Sequence, residues 1–292
     1  MARPVVLVAG SLHLDMILAA PHLPAPDETV TGSSVTQAFG GKGGNQAVAA
    51  ARMGAQAIMA GAVGSDAAAP VLHAALAAAG VEHGPVQTVP GASGMSVAIL
   101  DAQGTYGAVI VSAANLAFDP AQVVFPAGLA VLVLQNEIPE AANLALARRA
   151  AAAGARVILN AAPARVVSPE LLALCDLLVV NRGEAAGLLG MTYPPRAAVR
   201  ALAVLGPKAA IVTLGGDGVV SCSFEQPAFA VKVVSTHGAG DMYVGALAAE
   251  WARGAGLEAA SRFGQAAAAL HVAAGLEVRA AISEAQVRAL AG

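Results

Sequence analysis

Short apolar runs recur along the chain, and each gives way to a longer, alanine-rich stretch of helical character. The runs are residues 4–10 (PVVLVAG), 57–64 (AIMAGAVG), 129–135 (LAVLVLQ), 155–160 (ARVILN), 176–180 (DLLVV) and 209–215 (AAIVTLG). Several are apolar at every position, as parallel strands buried on both faces must be. Helices are expected between them, over 43–53, 140–153 and 196–205. This alternation predicts a three-layer α/β/α chain with a central, mostly parallel sheet covered on both sides. Two segments, 12–37 and 92–112, depart from the rhythm. They alternate in polarity, carry turn residues and have no long helix of their own. They are expected to pair into a small second sheet projecting from the main layer, as a flap over a site, a dimer contact, or both. No internal repeat or linker interrupts the chain, so residues 1–292 are expected to form one domain with these strands inserted.

Polar residues and glycines gather where the buried strands end. Asn136 and Glu137 follow one run, Asn160 closes another, Asn181 follows a third, and Gly215-Gly216-Asp217-Gly218 follows a fourth. Ligands of open parallel sheets bind at the carboxyl ends of the strands. That edge is therefore the candidate site, although a single Asn or Asp there also serves as an ordinary helix cap.

Four stretches carry possible chemistry. In STHGAGDMYVGAL (235–247), the turn Gly238-Ala239-Gly240 ends on Asp241, and Val244, Leu247, Ala248 and Trp251 then mark one helix face. The turn thus leads into a helix N-terminus, where unpaired N–H groups and the dipole favour an anion, with Asp241 beside it. In FGGKGGNQAVAAARMGA (39–55), four glycines flank Lys42, and Asn45 opens an apolar helix. This is not a Walker A loop, because Gly43 follows the lysine and no Ser or Thr is placed to hold magnesium. Gly40-Gly41 can offer backbone N–H groups to hydroxyls, and Asn45 can both donate and accept. NRGE (181–184) sets an amide and a carboxylate three residues apart, suited to organising water around Mg²⁺. VTLGGDGVV (212–220) reads as strand, glycine turn and strand, either a phosphate cradle or a plain hairpin.

Composition narrows the choice. Apolar residues make up 57% of the 292 residues and charged ones 12%, with net charge −3 and no basic run, which argues against nucleic acid or an anionic membrane as partner. No stretch reaches the roughly 18 uncharged apolar residues of a membrane helix. The N-terminal run passes into His13 and Asp15 without a cleavage site and reads as a first strand. The two cysteines, Cys175 and Cys222, lie in no metal or redox spacing and are expected to be buried thiols of a reducing, cytoplasmic protein. The first strand leads into GSLHLD rather than G-x-G-x-x-G, which disfavours a dinucleotide-dependent oxidoreductase.

Taken in order, these stretches resemble the ribokinase-like (PfkB) family of carbohydrate kinases over nearly the whole chain. GSLHLD resembles its first-strand sugar contact, FGGKGGNQAVAA its glycine-rich signature in the lysine form typical of the ribose kinases, and NAAPAR (160–165) their Asn-Pro-Ala-Pro-Ala stretch with one substitution. NRGE resembles the Asn-x-x-Glu motif, and GAGDMYVGAL the C-terminal signature. The resemblance implies ATP-dependent phosphorylation of a sugar hydroxyl, with Mg²⁺. Asp241 would be the base, and the amides of Gly238, Ala239 and Gly240 would stabilise developing charge. His13, Asp15, Gly41, Lys42, Asn45 and Glu137 would face the sugar. Asn181 and Glu184 would position Mg²⁺ through water, and Asn181, Thr213, Gly215, Gly218 and Gln265 would line the nucleotide site. The small sheet would be a lid and the contact of a homodimer. Ser235 stands where the signature usually begins with Asp, and His237 where a small or β-branched residue is common. This neighbourhood resembles the monovalent-cation site of potassium-activated members, and the missing carboxylate leaves K⁺ activation open. His13 replaces the Asn usual in the ribose kinases, and GLEVRAAIS (275–283) lacks the usual Gly-Ala turn near adenine. Ribose leads as acceptor, with another pentose, a ketohexose or a nucleoside as alternatives. A non-catalytic sugar- or nucleotide-binding regulator is the alternative of a different class.

Overall fold

The computed structural model describes residues 3–101, 106–275 and 278–292. Residues 102–105, within the second segment expected to form the small sheet, and 276–277, within GLEVRAAIS, lie outside the described residues. In chain order the elements are β1 (Val5–Ala9), β2 (His13–Ala20), β3 (Ser34–Gly40), α1 (Lys42–Arg52), β4 (Gln56–Val63), α2 (Ala68–Ala78), β5 (Val86–Thr88), β6 (Gly94–Asp101) and β7 (Tyr106–Val111). There follow β8 (Leu129–Gln135), α3 (Glu140–Ala152), β9 (Arg156–Asn160), α4 (Pro169–Leu174), β10 (Leu177–Asn181), α5 (Arg182–Leu189), α6 (Pro195–Val204) and β11 (Ala210–Thr213). The chain ends with β12 (Val219–Ser221), β13 (Glu225–Gln226), α7 (Ala239–Ala252), α8 (Leu257–Ala273) and α9 (Glu284–Ala291).

Each apolar run named above is a strand of a nine-stranded sheet, ordered β13-β12-β11-β10-β9-β8-β1-β4-β5. Neighbours from β11 to β5 pair in parallel, while β12 and β13 close one edge antiparallel. Alternate residues of each strand feed opposite cores, which is why the runs are apolar throughout. Val6, Val8, Val131 and Val133 pack toward α1, α2, α7, α8 and α9. Leu7, Leu132, Leu134 and Leu159 pack toward α3, α4, α5 and α6. Burying one such leucine stabilises the fold by about 1.5–3 kcal/mol relative to leaving it exposed.

The expected second sheet is present. Its four strands run β3-β2-β6-β7, with β2 parallel to β6 and the outer pairs antiparallel. It grows from the carboxyl end of β1, so it is rooted at the edge where Gln135, Asn160, Asn181 and Thr213 end their strands. Three local expectations are corrected. The first segment's strand runs on to Gly40 rather than ending near 37, because Phe39 and Gly40 continue the ladder opposite Leu14 and His13. Helix α1 begins at Lys42, with Gly41 at its N-cap, so Asn45 lies inside the first turn rather than opening the helix. Cys175 is buried but Cys222 is exposed, because it lies in the turn between the two edge strands β12 and β13.

Helices α1 and α7 pack in close contact through small residues. A Cβ on Gly245 of α7 would stand 2.5 Å from Ala49 Cβ and 2.5 Å from the Gln46 carbonyl oxygen of α1. This approach sets the glycine-rich turn before α1 beside the turn before α7. Gly245→Val is therefore expected to lower unfolding free energy by about 1–3 kcal/mol through overpacking, measured by urea denaturation. A variant as stable as the parent would contradict close contact at this site.

Candidate active site

The carboxyl ends of β9, β10 and β11, the segment 228–233, the first turn of α7 and one face of α8 enclose a cavity of about 580 Å³. That is the size of a typical small-molecule site. Lys42, Asn181, Glu184, Thr213, Gly215, Gly218, Gly238, Ala239, Gly240, Asp241 and Gln265 all line it. His13, Asp15, Gly41, Asn45, Glu137, Ser235 and His237 do not. His13 and Asp15 lie on β2 of the small sheet, Gly41 and Asn45 at the start of α1 and Glu137 just after β8, while Ser235 and His237 lie in the approach to α7.

Gly238 caps α7 in the left-handed region, with φ of 76°, which turns the chain sharply into the helix. Ala239 N–H donates back to Thr236 O at 3.2 Å, so that amide is already engaged. Among the described residues no backbone carbonyl accepts from Gly238, Gly240 or Asp241 N–H. These three donors sit at a helix N-terminus that lines the cavity, the kind of position that binds phosphate.

Asp241 follows directly and is 8% exposed. Gln46 Nε2 donates to its Oδ1 at 2.9 Å, and Asn45 Nδ2 to its Oδ2 at 3.3 Å. Burial pushes this carboxyl above the usual aspartate range. The nearby Lys42 ammonium, the Gln46 bond and the Asn45 bond pull the other way, and the Glu137 charge adds to the rise. Gln46 is fully buried and is the hub of the network. It also donates to Asn160 Oδ1 at 3.0 Å, and its Oε1 accepts from Gln135 Nε2 at 2.7 Å. Asn160 is held in turn by Val179 O, and the carbonyl of Gln135 by Asn143.

Lys42 links the cavity to the other side. Its backbone N–H donates to Glu137 Oε2 at 2.9 Å, and the same oxygen accepts a short bond from Ser11 Oγ. Burial disfavours its ammonium, but the charges of Asp241, Glu137 and Glu184 outweigh that and hold it above the usual lysine value. Lys42 forms no salt bridge with any of the three carboxylates, so its donors remain available. Asp15 on β2 accepts from Ser96 Oγ at 2.5 Å. His13 is 3% exposed, and its Nε2 has no partner among the described residues.

Asn181 and Glu184 form a reciprocal capping box at the start of α5, each accepting the other's backbone N–H at 2.8 Å. Burial raises the Glu184 carboxyl above its usual value and the nearby Asp241 charge adds to the rise, against the Asn181 backbone bond and Lys42, which lower it. Among the described residues no group of three or more His, Cys, Asp or Glu could cage a metal. The donor set suits a hard cation held largely by water and ligand oxygens, as Mg²⁺ is. Thr213 Oγ1 donates to Val180 O at 3.4 Å, and Gln265 Nε2 to Gln226 Oε1 at 2.8 Å.

Sequence reasoning did not single out Gln46, Ser11, Ser96, Gln135 or Arg279. The signal for Gln46 was its place beside Asn45 on a helix built between its terminal Lys42 and Arg52 otherwise of Gly, Ala and Val, where a buried amide needs partners. Arg279 begins a short 3₁₀ turn after α8. It donates to Ser235 O at 3.0 Å, His237 O at 3.1 Å and Ala274 O at 3.3 Å.

Residues 4–276 match the pfkB family carbohydrate kinase. The ribokinase of Haemophilus influenzae is 34% identical over 286 residues, covering 92% of each chain. The ribokinase of Bacillus subtilis is 34% identical over 275 residues, covering 91% of this chain and 92% of its own. A solved structure of Arabidopsis thaliana ribokinase complexed with ribose and ATP superposes with a TM-score of 0.90 at 28% identity, covering 99% of both chains. Among the described residues no helix is long and apolar enough to cross a membrane.

The raised proton affinity of Asp241 has a consequence for stability. The folded chain keeps this proton to higher pH than the unfolded chain does, so the group costs stability as pH rises through its folded value. Asp241→Asn is expected to raise the melting temperature at pH 7, by about 1 kcal/mol equivalent, and to leave it unchanged below the unfolded aspartate range. Calorimetry at the two pH values checks this. A destabilised variant at pH 7 would contradict it.

Proposed function

The chain belongs to the pfkB family of carbohydrate kinases and is a ribokinase-like sugar kinase, a phosphotransferase with an alcohol acceptor; on that premise we propose that it transfers the γ-phosphate of ATP to a hydroxyl of ribose. One observation carries the site assignment: a buried carboxylate, shifted toward its protonated form, stands beside helix-terminal amides that have no carbonyl partner. Asp241 takes the proton of the acceptor hydroxyl as that oxygen attacks phosphorus. The amides of Gly238, Gly240 and Asp241 receive the charge on the transferring group, and Lys42 balances it from the cavity wall. Phosphoryl transfer asks mainly for such positioning and charge stabilisation.

His13, Asp15, Gly41, Lys42, Asn45 and Glu137 hold the sugar. The unpartnered Nε2 of His13 supports this, since a buried ring nitrogen left unpaired costs free energy that a sugar hydroxyl would recover. Asn181, Thr213, Gly215, Gly218 and Gln265 line the nucleotide side. Mg²⁺, when bound, neutralises triphosphate charge. Glu184, through the oxygen that Asn181 N–H does not engage, and Asn181 would hold its waters.

The chain works as one domain, with the four-stranded sheet as a lid that excludes competing water. Val35, Val109, Ile110 and Val111 of that sheet are exposed, which supports a dimer through the lids. Light scattering is expected to read twice the mass of one chain; a monomer at micromolar concentration would contradict it. The two free thiols, one of them exposed, support a reducing, cytoplasmic setting.

An ADP-release screen over pentoses, hexoses and nucleosides, with ATP and Mg²⁺, tests the function. Ribose is expected to give the highest kcat/KM. A higher value for another acceptor would overturn the ribose assignment, and no ADP release with any of them would overturn the kinase reading. Asp241→Asn is expected to lower kcat by about 10²–10⁴ while calorimetric ribose binding persists. In the parent, kcat/KM is expected to rise with pH along an acid limb whose midpoint lies above the roughly 3.9 of an ordinary aspartate.

A further inference from the structure

The segment that leads into α7 is tied to a buried positive charge belonging to the chain itself. Arg279 is 7% exposed. Its Nη2 donates to Ser235 O at 3.0 Å, its Nη1 to His237 O at 3.1 Å and its Nε to Ala274 O at 3.3 Å. His237 O also receives His271 Nε2 at 2.9 Å. The carbonyl of Arg279 accepts from Arg52 at 3.4 Å, which fixes the turn carrying it. Among the described residues no carboxylate forms an ion pair with Arg279. Burial works against the charged guanidinium, yet arginine does not surrender its proton in proteins. The charge is therefore met by converging backbone oxygens, the kind of ligand a desolvated monovalent cation takes.

The position gives this contact leverage. A trans peptide holds its C=O and N–H antiparallel in one plane. Drawing His237 O toward Arg279 therefore turns the Gly238 N–H of the same peptide the opposite way, and Gly238 lines the cavity. Ser235 keeps only a hydroxyl, which accepts from His237 N–H at 3.3 Å and closes the loop on itself. No carboxylate remains at Ser235 to attract a metal ion, and a second cation beside the guanidinium would meet like-charge repulsion in a poorly solvated place.

We propose that Arg279 is a built-in substitute for the monovalent cation, holding the Ser235 and His237 carbonyls so that the N-terminal amides of α7 are aimed at the phosphoryl group without potassium. It is a positioning residue, and the proposal rests on the kinase reading above. Two readouts separate the two claims. In the first, ADP release by the unaltered enzyme is followed as K⁺ replaces tetramethylammonium at constant ionic strength. A change of less than about twofold is expected, and several-fold activation by K⁺ would overturn the proposal while leaving the kinase reading intact. In the second, which needs no turnover, the melting temperature is compared in the two salts. K⁺ is expected to leave the parent unchanged and to raise that of Arg279→Met, as a ligand of the folded state does. Arg279→Met is also expected to lose about tenfold or more in kcat, with partial recovery on adding K⁺ or free guanidinium ion. Recovery by neither cation would show that Arg279 acts only as packing, and a K⁺-dependent rise in the parent's melting temperature would show that the parent binds K⁺; either would overturn the proposal. Should Arg279→Met fail to fold, the parent's response in both readouts decides the question alone.

Discussion

Gln46 gives one amide hydrogen to Asp241 and the other to Asn160, and takes a third bond from Gln135. That one side chain joins α1, α7, β8 and β9 at the carboxyl edge of the sheet, and the proposed chemistry depends on it. Asp241 lies where water is scarce, and hydrogen bonds there are stronger than in solvent and costly to leave unmade. Two amides, from Asn45 and Gln46, and the field of Lys42 keep the carboxylate ionisable despite its burial. The opposing effects leave a carboxylate with more appetite for a proton than an exposed aspartate has. Beside it stand the N–H groups of Gly238, Gly240 and Asp241, with no backbone carbonyl partner among the described residues.

Small residues make the network possible. The turn before α1 and the turn before α7 come side by side only because Gly245 lets the two helices touch through Ala49. Likewise a Cβ on Gly43 would meet the Gly10 backbone at 2.7 Å, so α1 sits directly on the end of β1. The segment that enters α7 is held from behind by Arg279, and the Asp241 carboxylate in the first turn is held from the side by Gln46. Neither group touches the other: one fixes the approach to α7, the other a side chain of its first turn. Small residues thus provide close packing, and a few buried polar side chains provide the direction.

Much of the architecture was legible because it rests on local rules. Runs apolar at every position forecast strands buried on both faces, and their ends marked the site edge. The turn Gly238-Ala239-Gly240 before an apolar helix forecast a helix N-terminus at the cavity, and the two polarity-alternating segments forecast the small sheet. What escaped depends on contacts between distant parts of the chain. Gln46 and Asp241 are 195 residues apart, and Arg279 and Ser235 are 44 apart. No periodicity encodes such pairs. The exposure of Cys222 was missed for a related reason: only the pairing of β12 with β13 shows that the residue sits in the turn between them. The true start of α1 was hidden because four glycines blur the boundary, and only the pairing of Phe39 and Gly40 with β2 reveals where strand ends and helix begins.

The central claim is that one carboxylate and one helix terminus act on the same transferring group. A crystal structure of the complex with ribose and a non-hydrolysable ATP analogue tests it most directly. The account predicts a sugar hydroxyl within about 2.6–3.2 Å of the Asp241 carboxylate, with γ-phosphate oxygens accepting from Gly240 and Asp241 N–H. A complex in which that hydroxyl contacts Glu137 or Asp15 instead, with the triphosphate tail away from the first turn of α7, would contradict it.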